Sequence, residues 1–403
     1  MKILHVTPFF KPSWEAGGPP RSVYEIARRQ VKNGHEVTVY TTDGFKKRLD
    51  IQKNVPVDVE GIETYYFRNL SMFLAGGLNF PVPYYLPWVA RKKLKKFDII
   101  HIHEHRTFLA AVVHHYAQKY NIPYVIQPRG SAPTMVKSRQ KEIFDQLVGK
   151  SIIYDACKII ASSNSEAGQY KDVFPQLNPE AVIQIPNGID LETYQHLPPK
   201  NIFREKMGIK KDEKIILYLS RLHQRKGIDL LIKSFKNIMN KIGPSKLVIA
   251  GPDDHYLEHI NILIRELEME DSVLITGPLY ENDKLEAYVD ADVFILPSLD
   301  RYESFGNVVV EAMACQTPVV VTRFCGVSEW VNEDVGRVVD YKEQEMGQAI
   351  LEILENEKWD EMSQKAQKMA LNTFSWDQVV LDNQNLYEYC INRQNRDYFY
   401  MTE

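Results

Sequence analysis

The sequence predicts a two-domain α/β protein built on doubly wound parallel sheets. Three observations carry that prediction. Short apolar runs alternate with amphipathic helical segments along nearly the whole chain, as parallel strands with crossover helices do. Glycine, proline and charged clusters recur just after the strand-like runs, where ligands bind in such sheets. The alternation restarts after the turn signal Pro186-Asn187-Gly188-Ile189-Asp190, and 403 residues suit two domains. The expected division is 1–190 together with 376–403, and 191–375.

The first domain opens with a buried strand over Ile3 to Thr7. A Gly/Pro loop, Glu15 to Ser22, leads to a helix expected from Val23 to Lys32, with Ser22 as its cap and Asn33-Gly34 as its stop. Strands are expected at His35–Thr41, Gly61–Phe67, Asp98–His103, Pro123–Gln127, Lys158–Ala161 and Ala181–Ile185. Between them lie an aromatic, proline-rich passage (Phe73 to Trp88), a basic run (Arg91 to Lys96), and helices at Phe108–Lys119 and Gln140–Tyr154. The GxGxxG phosphate fingerprint is absent; Gly17-Gly18-Pro19-Pro20 stands in the corresponding loop.

The second domain repeats the pattern. Strands are expected at Lys214–Ser220, Lys246–Ala250, Ser272–Thr276, Val293–Pro297, Pro318–Thr322 and Gly336–Val339, with helices at Ile228–Met239, Tyr256–Leu267, Asp283–Val289 and Val308–Ala314. Helices then fill Gln344 to Thr373. A last helix, from Trp376 to Ile391, is capped by Ser375 and expected to return to the first domain. The tail from Arg393 to Glu403 is expected to be loosely held.

Composition narrows the function classes. At 44% hydrophobic and 25% charged residues, this is an ordinary globular composition. No run approaches the ~20 apolar residues of a membrane span, and the Met1 to Phe10 run is too short for a signal-peptide core. The four cysteines lack CxxC spacing and are expected to be reduced thiols in a cytoplasmic protein. The net charge of −4 hides an asymmetry: 25 Lys+Arg against 17 Asp+Glu up to Asp190 (+8), leaving 24 against 36 thereafter (−12). A negative total and a short basic patch argue against nucleic-acid binding.

The chemistry concentrates in Leu296 to Val320. Glu303 and Glu311 flank a Gly-containing turn at a helix start, which places hydroxyl-binding acids beside amides that can hold a phosphate. Gly306 lets backbone approach a ligand closely. Glu311 alone is equally a first-turn acid favouring the helix dipole, but that leaves Glu303 and the glycine unexplained. Arg221 and Lys226 occupy one strand-to-helix loop, and two converging cations suit a diphosphate leaving group whose charge grows as its bond breaks. By themselves they are surface cations on a solvated loop; the acidic pair in the same domain favours function.

Glu303 and Glu311 form an E-x7-E motif within E-S-F-G-N-V-V-V-E-A-M-A. Together with Arg221…Lys226-Gly227, Pro297-Ser298, Ile185 to Asp190 and Gly17-Gly18, it resembles family 4 of the retaining glycosyltransferases over essentially the whole chain. The resemblance implies the GT-B fold, two Rossmann-like domains facing across a cleft. It implies that Arg221 and Lys226 bind the donor diphosphate, Glu311 the ribose, and Glu303 the donor sugar. The amides of Ser304, Phe305, Gly306, Asn307 and Val308 would hold sugar and phosphate, and backbone near Leu279 would meet the base. Gly17-Gly18 would close over the diphosphate. The implied reaction is metal-independent hexosyl transfer with retention, from a UDP- rather than GDP-sugar to a glycan, glycolipid or lipid-linked acceptor. No cofactor is implied, since the nucleotide sugar is a substrate, and the chain has no DxD pair followed by further metal ligands.

Two positions depart from the family pattern. Many relatives carry a histidine after the strand here written Tyr124 to Gln127; this chain has Pro128-Arg129-Gly130-Ser131, leaving Arg129 as an acceptor-side candidate for an anionic acceptor or the donor. Cys315 replaces a usual glycine and is expected to be a packing change. His103 and His105 form an HxH at a strand end. With no third ligand in register they favour an acceptor-side role for His103, or plain structure, over zinc. Tyr84 to Lys96 mixes aromatics with five cations, which suits a peripheral position on an anionic membrane and equally a solvated helix. The competing functions are a UDP-sugar epimerase on the same fold and a non-catalytic sugar-nucleotide-binding protein. The combination of Arg221, Lys226, Glu303 and Glu311 argues against both.

Overall fold

A computed structural model describes residues 1–131, 138–301 and 303–401. Tyr302, within the acidic motif, and the last two residues of the tail lie outside the described residues. The chain divides into two compact units: Met1–Ser162, Ala167–Pro186 and Trp376–Glu403 form one, and Ser163–Glu166 with Asn187–Ser375 the other.

The first unit is built on an eight-stranded sheet. Its strands are β1 (Lys2–Val6), β2 (Glu36–Thr42), β3 (Pro56–Val59), β4 (Ile62–Phe67), β5 (Ile99–His103), β6 (Tyr124–Gln127), β7 (Lys158–Ala161) and β8 (Val182–Gln184), in the order β3-β4-β2-β1-β5-β6-β7-β8. All neighbours are parallel except β3 and β4. The edge strand β3 was not anticipated. It forms a hairpin whose Glu60-Gly61 turn puts both residues at positive φ (54° and 84°), the backbone that matches strand twist. Strand order reverses between β1 and β5.

Apolar clusters cover both faces of this sheet. Leu4, Val6, Ile100, Ile102 and Ile126 pack with Leu109 and Val113 of the helix Phe108–Tyr120. Ile3, Ile99, Val125 and Ile160 pack with Ile26 of α1 (Gly18–Lys32) and with Trp376, Val379, Val380 and Tyr387 of the C-terminal helix. That helix runs from Trp376 to Met401, ten residues beyond the expected end (401 − 391), so the tail is largely helical. α1 begins at Gly18 rather than Val23, because prolines at its first positions need no amide partner and preset φ. The cysteine expectation is corrected here: Cys157 and Cys390 are joined as a disulfide, Cα–Cα 6.0 Å, linking the residue before β7 to the C-terminal helix. Cys315 and Cys325 are free and buried.

The second unit has six parallel strands, β9 (Lys214–Leu219), β10 (Ser245–Ala250), β11 (Val273–Gly277), β12 (Val293–Leu296), β13 (Val319–Thr322) and β14 (Gly336–Val339), ordered β11-β10-β9-β12-β13-β14. This is the Rossmann order, reversing between β9 and β12. The central strands are buried along nearly their whole length, which is why they read as unbroken apolar runs. Cys315 is buried with φ −87°, so nothing in its backbone calls for glycine. Among the described residues no helix is long and apolar enough to cross a membrane.

Candidate active site

The reversal between β9 and β12 is where an open α/β sheet leaves a crevice at its carboxyl edge. Both loops at this edge carry residues singled out from the sequence. The loop after β9 holds Arg221 to Lys226, and the loop after β12 holds Glu303 to Gly306. A backbone bond from Leu299 N to Arg225 O (3.0 Å) ties them together. Lys226 Nζ bonds Glu303 Oε2 across the gap, and both side chains are largely buried. An ammonium and a carboxylate withdrawn from water must pair, so each fixes the other's position.

Gly306 makes the next turn. Its φ is +103°, and a Cβ there would lie 2.7 Å from Cys325 Sγ, so both backbone and packing exclude other residues. The helix Asn307–Ala314 starts immediately after it. Val309 N turns back to Gly306 O (3.0 Å). Phe305, by contrast, is core: its ring packs against Trp330 and Phe374, leaving only its backbone for a ligand. Ser304 O accepts from Ser163 Oγ at 2.8 Å, and Asn307 Oδ1 accepts from Asn187 Nδ2 at 3.1 Å.

Glu311 stands apart from the Lys226–Glu303 pair. Its Oε2 accepts from Lys284 Nζ at 3.0 Å and from Tyr288 Oη at 3.1 Å, both from the helix Glu281–Asp290. Burial and the adjacent Glu311 charge hold the Tyr288 phenol well above its ordinary range, so it stays a donor. Arg221 is half exposed and points to Asp254, Nη1 to Oδ2 2.7 Å. The two expected diphosphate ligands are thus engaged with different acids. Leu279 follows β11, partly buried against the core. Sequence reasoning missed Lys284, Tyr288 and Asp254. The first two were accessible to it, because positions four apart share a helix face.

In the first unit, Gly17 has φ +102°, a conformation glycine favours, and joins a short 3-10 turn (Trp14–Ala16) to α1. Gly18 has no such constraint, and beyond its chain neighbours a Cβ there would meet nothing within 4 Å. Two further strand ends carry residues at positive φ: Glu104 (67°) after β5 and Arg129 (52°) after β6. Such backbone is costly for non-glycine residues and concentrates at functional sites. Burial raises the Glu104 carboxyl to about 7, against the lowering influence of Arg129. Arg106 holds the loop after β5 by a two-bond contact to Asp145 (2.9 and 2.7 Å).

The histidines are not arranged as the HxH spacing suggested. His103 is buried rather than open at the strand end, and it groups with His5 and His101 instead of His105. The three can bring ligand nitrogens within 4.8 Å of one another. Both nitrogens of His5 and of His103 are already hydrogen-bonded, however, and a guanidinium lies against His103. Burial keeps His5 neutral, its pKa lowered to about 4, and His101 and His103 well below their ordinary value. The cluster is a hydrogen-bond chain; a cation there would have to break at least one of its bonds.

Residues 16–193 match the family model Glycosyltransferase Family 4, and residues 199–372 match Glycosyl transferases group 1. The chain is a glycosyltransferase of the GT-B type. It is 29% identical to an uncharacterised glycosyltransferase of Methanocaldococcus jannaschii, over 98% of this chain and 100% of that protein. It is 25% identical to the D-inositol 3-phosphate glycosyltransferase of Kineococcus radiotolerans, over 82% of this chain and 79% of the relative. The fold matches the structure of Anabaena HepE in complex with UDP, with a TM-score of 0.75 at 19% identity, covering 96% of this chain and 100% of that one.

Proposed function

We propose that this glycosyltransferase transfers a hexosyl group with retention of configuration, without a metal, from a UDP-sugar to a glycan or lipid-linked acceptor. The observation that carries the reading is the Lys226–Glu303 pair across the β9/β12 reversal, beside the Gly306 helix start. In this reading the second unit binds the donor and the first unit the acceptor. The UDP preference draws on HepE, solved with UDP, and an anionic acceptor draws on the inositol phosphate relative.

Lys226, held by Glu303, meets the diphosphate, and Arg221 leaves Asp254 to join it. Amides from Ser304 to Val308 line the sugar–phosphate junction. Glu311 takes its two bonds on Oε2, so Oε1 is the oxygen offered to the ribose diol. Glu303 orients the donor sugar. The acceptor hydroxyl attacks the anomeric carbon from the face that the diphosphate leaves. The carbon–phosphate-oxygen bond breaks with its electron pair going to the β-phosphate. That oxygen takes the acceptor proton, while Lys226 and Arg221 neutralise the growing charge. No step needs a metal or cofactor.

The exposed face of the first unit supports peripheral attachment to an anionic membrane. Leu86, Val89, Ala90 and Leu94 are buried, which turns Trp88, Arg91, Lys92, Lys95 and Lys96 outward, and Lys92 Nζ lies 3.7 Å from the Trp88 ring centroid. The test of the transferase reading is a donor screen for nucleotide release with Arg221→Ala and Glu311→Ala as controls. Release by the parent and loss in both variants is expected. Release that is unaffected by either change contradicts it.

A further inference from the structure

Beneath the strand end that carries Arg129 runs a line of buried polar side chains drawn from distant parts of the first unit. Arg129 Nε donates to His103 Nδ1 at 3.2 Å. His103 is neutral, so its other nitrogen carries the proton, and Nε2 donates to His5 Nδ1 at 3.0 Å. His5 Nε2 then donates to Gln30 Oε1 at 2.7 Å. Gln30 Nε2 continues to Tyr387 Oη at 3.5 Å, and that hydroxyl meets His101 Nδ1 at 2.7 Å. From Arg129 to Gln30 the bonds run in one donor direction, and Arg129 at their head fixes the tautomers of His103 and His5; the Tyr387–His101 bond can run either way. His101 Nε2 at the far end has no partner among the described residues.

This line replaces apolar packing. It is inserted between β1, β5, α1 and the C-terminal helix, where the neighbouring residues are Ile3, Ile26, Ile99 and Val125. Burying several polar groups is costly unless all are satisfied, and an apolar core would serve stability better. The head of the line gives it a use. Arg129 sits at positive φ beside Glu104, also at positive φ, on adjacent strand ends of the carboxyl edge. A flexible arginine there would lose several rotamers on meeting a ligand; one locked through Nε does not.

We propose that His103, His5 and Gln30 are positioning residues that hold the Arg129 guanidinium in a fixed orientation at the acceptor side. The inference rests on the reading of Arg129 as an acceptor-side residue, and it adds that the orientation is set from within the core. Arg129 is the group that meets the ligand; the two histidines and the glutamine act through it.

Two measurements on the full chain test this. In the first, long-range proton–nitrogen spectra of protein labelled at histidine should show His103 and His5 as Nε2–H tautomers at neutral pH. Arg129→Ala should alter the His103 signals. The Nδ1–H tautomer at His103, or signals indifferent to Arg129→Ala, overturns the proposal. The second is a double-mutant cycle on UDP release from UDP-glucose with inositol 3-phosphate as acceptor probe. His103→Leu should lower kcat/KM about tenfold in the parent and have no further effect in an Arg129→Ala background. A purely structural role would lower activity by the same factor in both backgrounds, and that result overturns the proposal. If the parent releases no UDP under any condition, the transferase reading fails for this donor, and the spectra alone decide whether the line holds.

Discussion

Placing an alanine at Gly18 separates a ligand contact from a folding requirement. Gly18 is the first residue of α1, and beyond its chain neighbours a Cβ there would touch nothing within 4 Å, although Pro19 disfavours helical backbone for a preceding residue that carries a Cβ. Alanine costs about 0.5 to 1 kcal/mol less backbone entropy on folding, which offsets that strain, so Gly18→Ala should leave stability nearly unchanged. Gly17→Ala behaves oppositely, because φ +102° and ψ −152° are poor for any side chain; it should cost about 1 to 3 kcal/mol. If the Gly17-Gly18 loop closes over the donor diphosphate, the Gly18 methyl intrudes on a close approach. Overpacking of about 1 to 3 kcal/mol corresponds to a loss of about fivefold to about 150-fold in kcat/KM. The assay is nucleotide release alongside thermal melting of the same preparations. A Gly18→Ala variant that melts at or above the parent temperature and turns over within twofold of it would refute a close approach of this loop to the ligand.

Three further outcomes follow from the geometry. Lys226→Met strands the largely buried Glu303 carboxylate, so it should lower the melting temperature and cut turnover at least a hundredfold; Lys226→Met with Glu303→Gln should recover melting without turnover. Retained activity in the double variant would remove both from the site. The buried histidines make the first unit sensitive to acid. His5, with a folded pKa of about 4 against about 6.5 unfolded, contributes fully above the unfolded value and loses about 3 kcal/mol as pH falls to 4. His101, His103 and His105 act in the same sense. Glu104, raised to about 7, acts oppositely, stabilising at low pH and losing its contribution as pH rises through that value. With four buried histidines against one carboxyl, the urea midpoint should be lower at pH 5 than at pH 7; an equal or higher midpoint contradicts neutral buried histidines. The membrane face is tested by flotation with anionic vesicles: binding should fall with salt and with Arg91, Lys92, Lys95 and Lys96 neutralised, and salt-insensitive or absent binding removes that part of the reading.

What the sequence made legible was whatever depends on local order. Strands such as β12 and β13 were readable because a buried parallel strand is a short unbroken apolar run. The loops after β9 and β12 were readable because they carry charge and glycine next to such runs. The β3 hairpin escaped because two of its four residues are partly exposed and the others exposed, leaving no apolar signal; the Glu60-Gly61 turn was the available clue. The pairing of Cys157 with Cys390 joins positions 233 residues apart and depends on where the C-terminal helix docks. The same holds at the sites. Glu303 and Lys226 were each recognisable, but their direct contact requires β9 and β12 to be neighbours. His5 lies 98 residues from His103, and only the pairing of β1 with β5 brings them together. The HxH pattern pointed to His105, since spacing along a strand says nothing about the strand beside it.

In the proposed transferase, the β9/β12 reversal holds a nucleoside diphosphate. Calorimetric titration of the parent with UDP, GDP and ADP in the presence of EDTA tests it most directly, with Lys226→Met and Glu311→Ala titrated beside it. The account predicts saturable UDP binding that survives EDTA, is weaker for GDP and ADP, and is lost or weakened at least tenfold in both variants. No binding of any diphosphate by the parent, or binding untouched by either substitution, would contradict it.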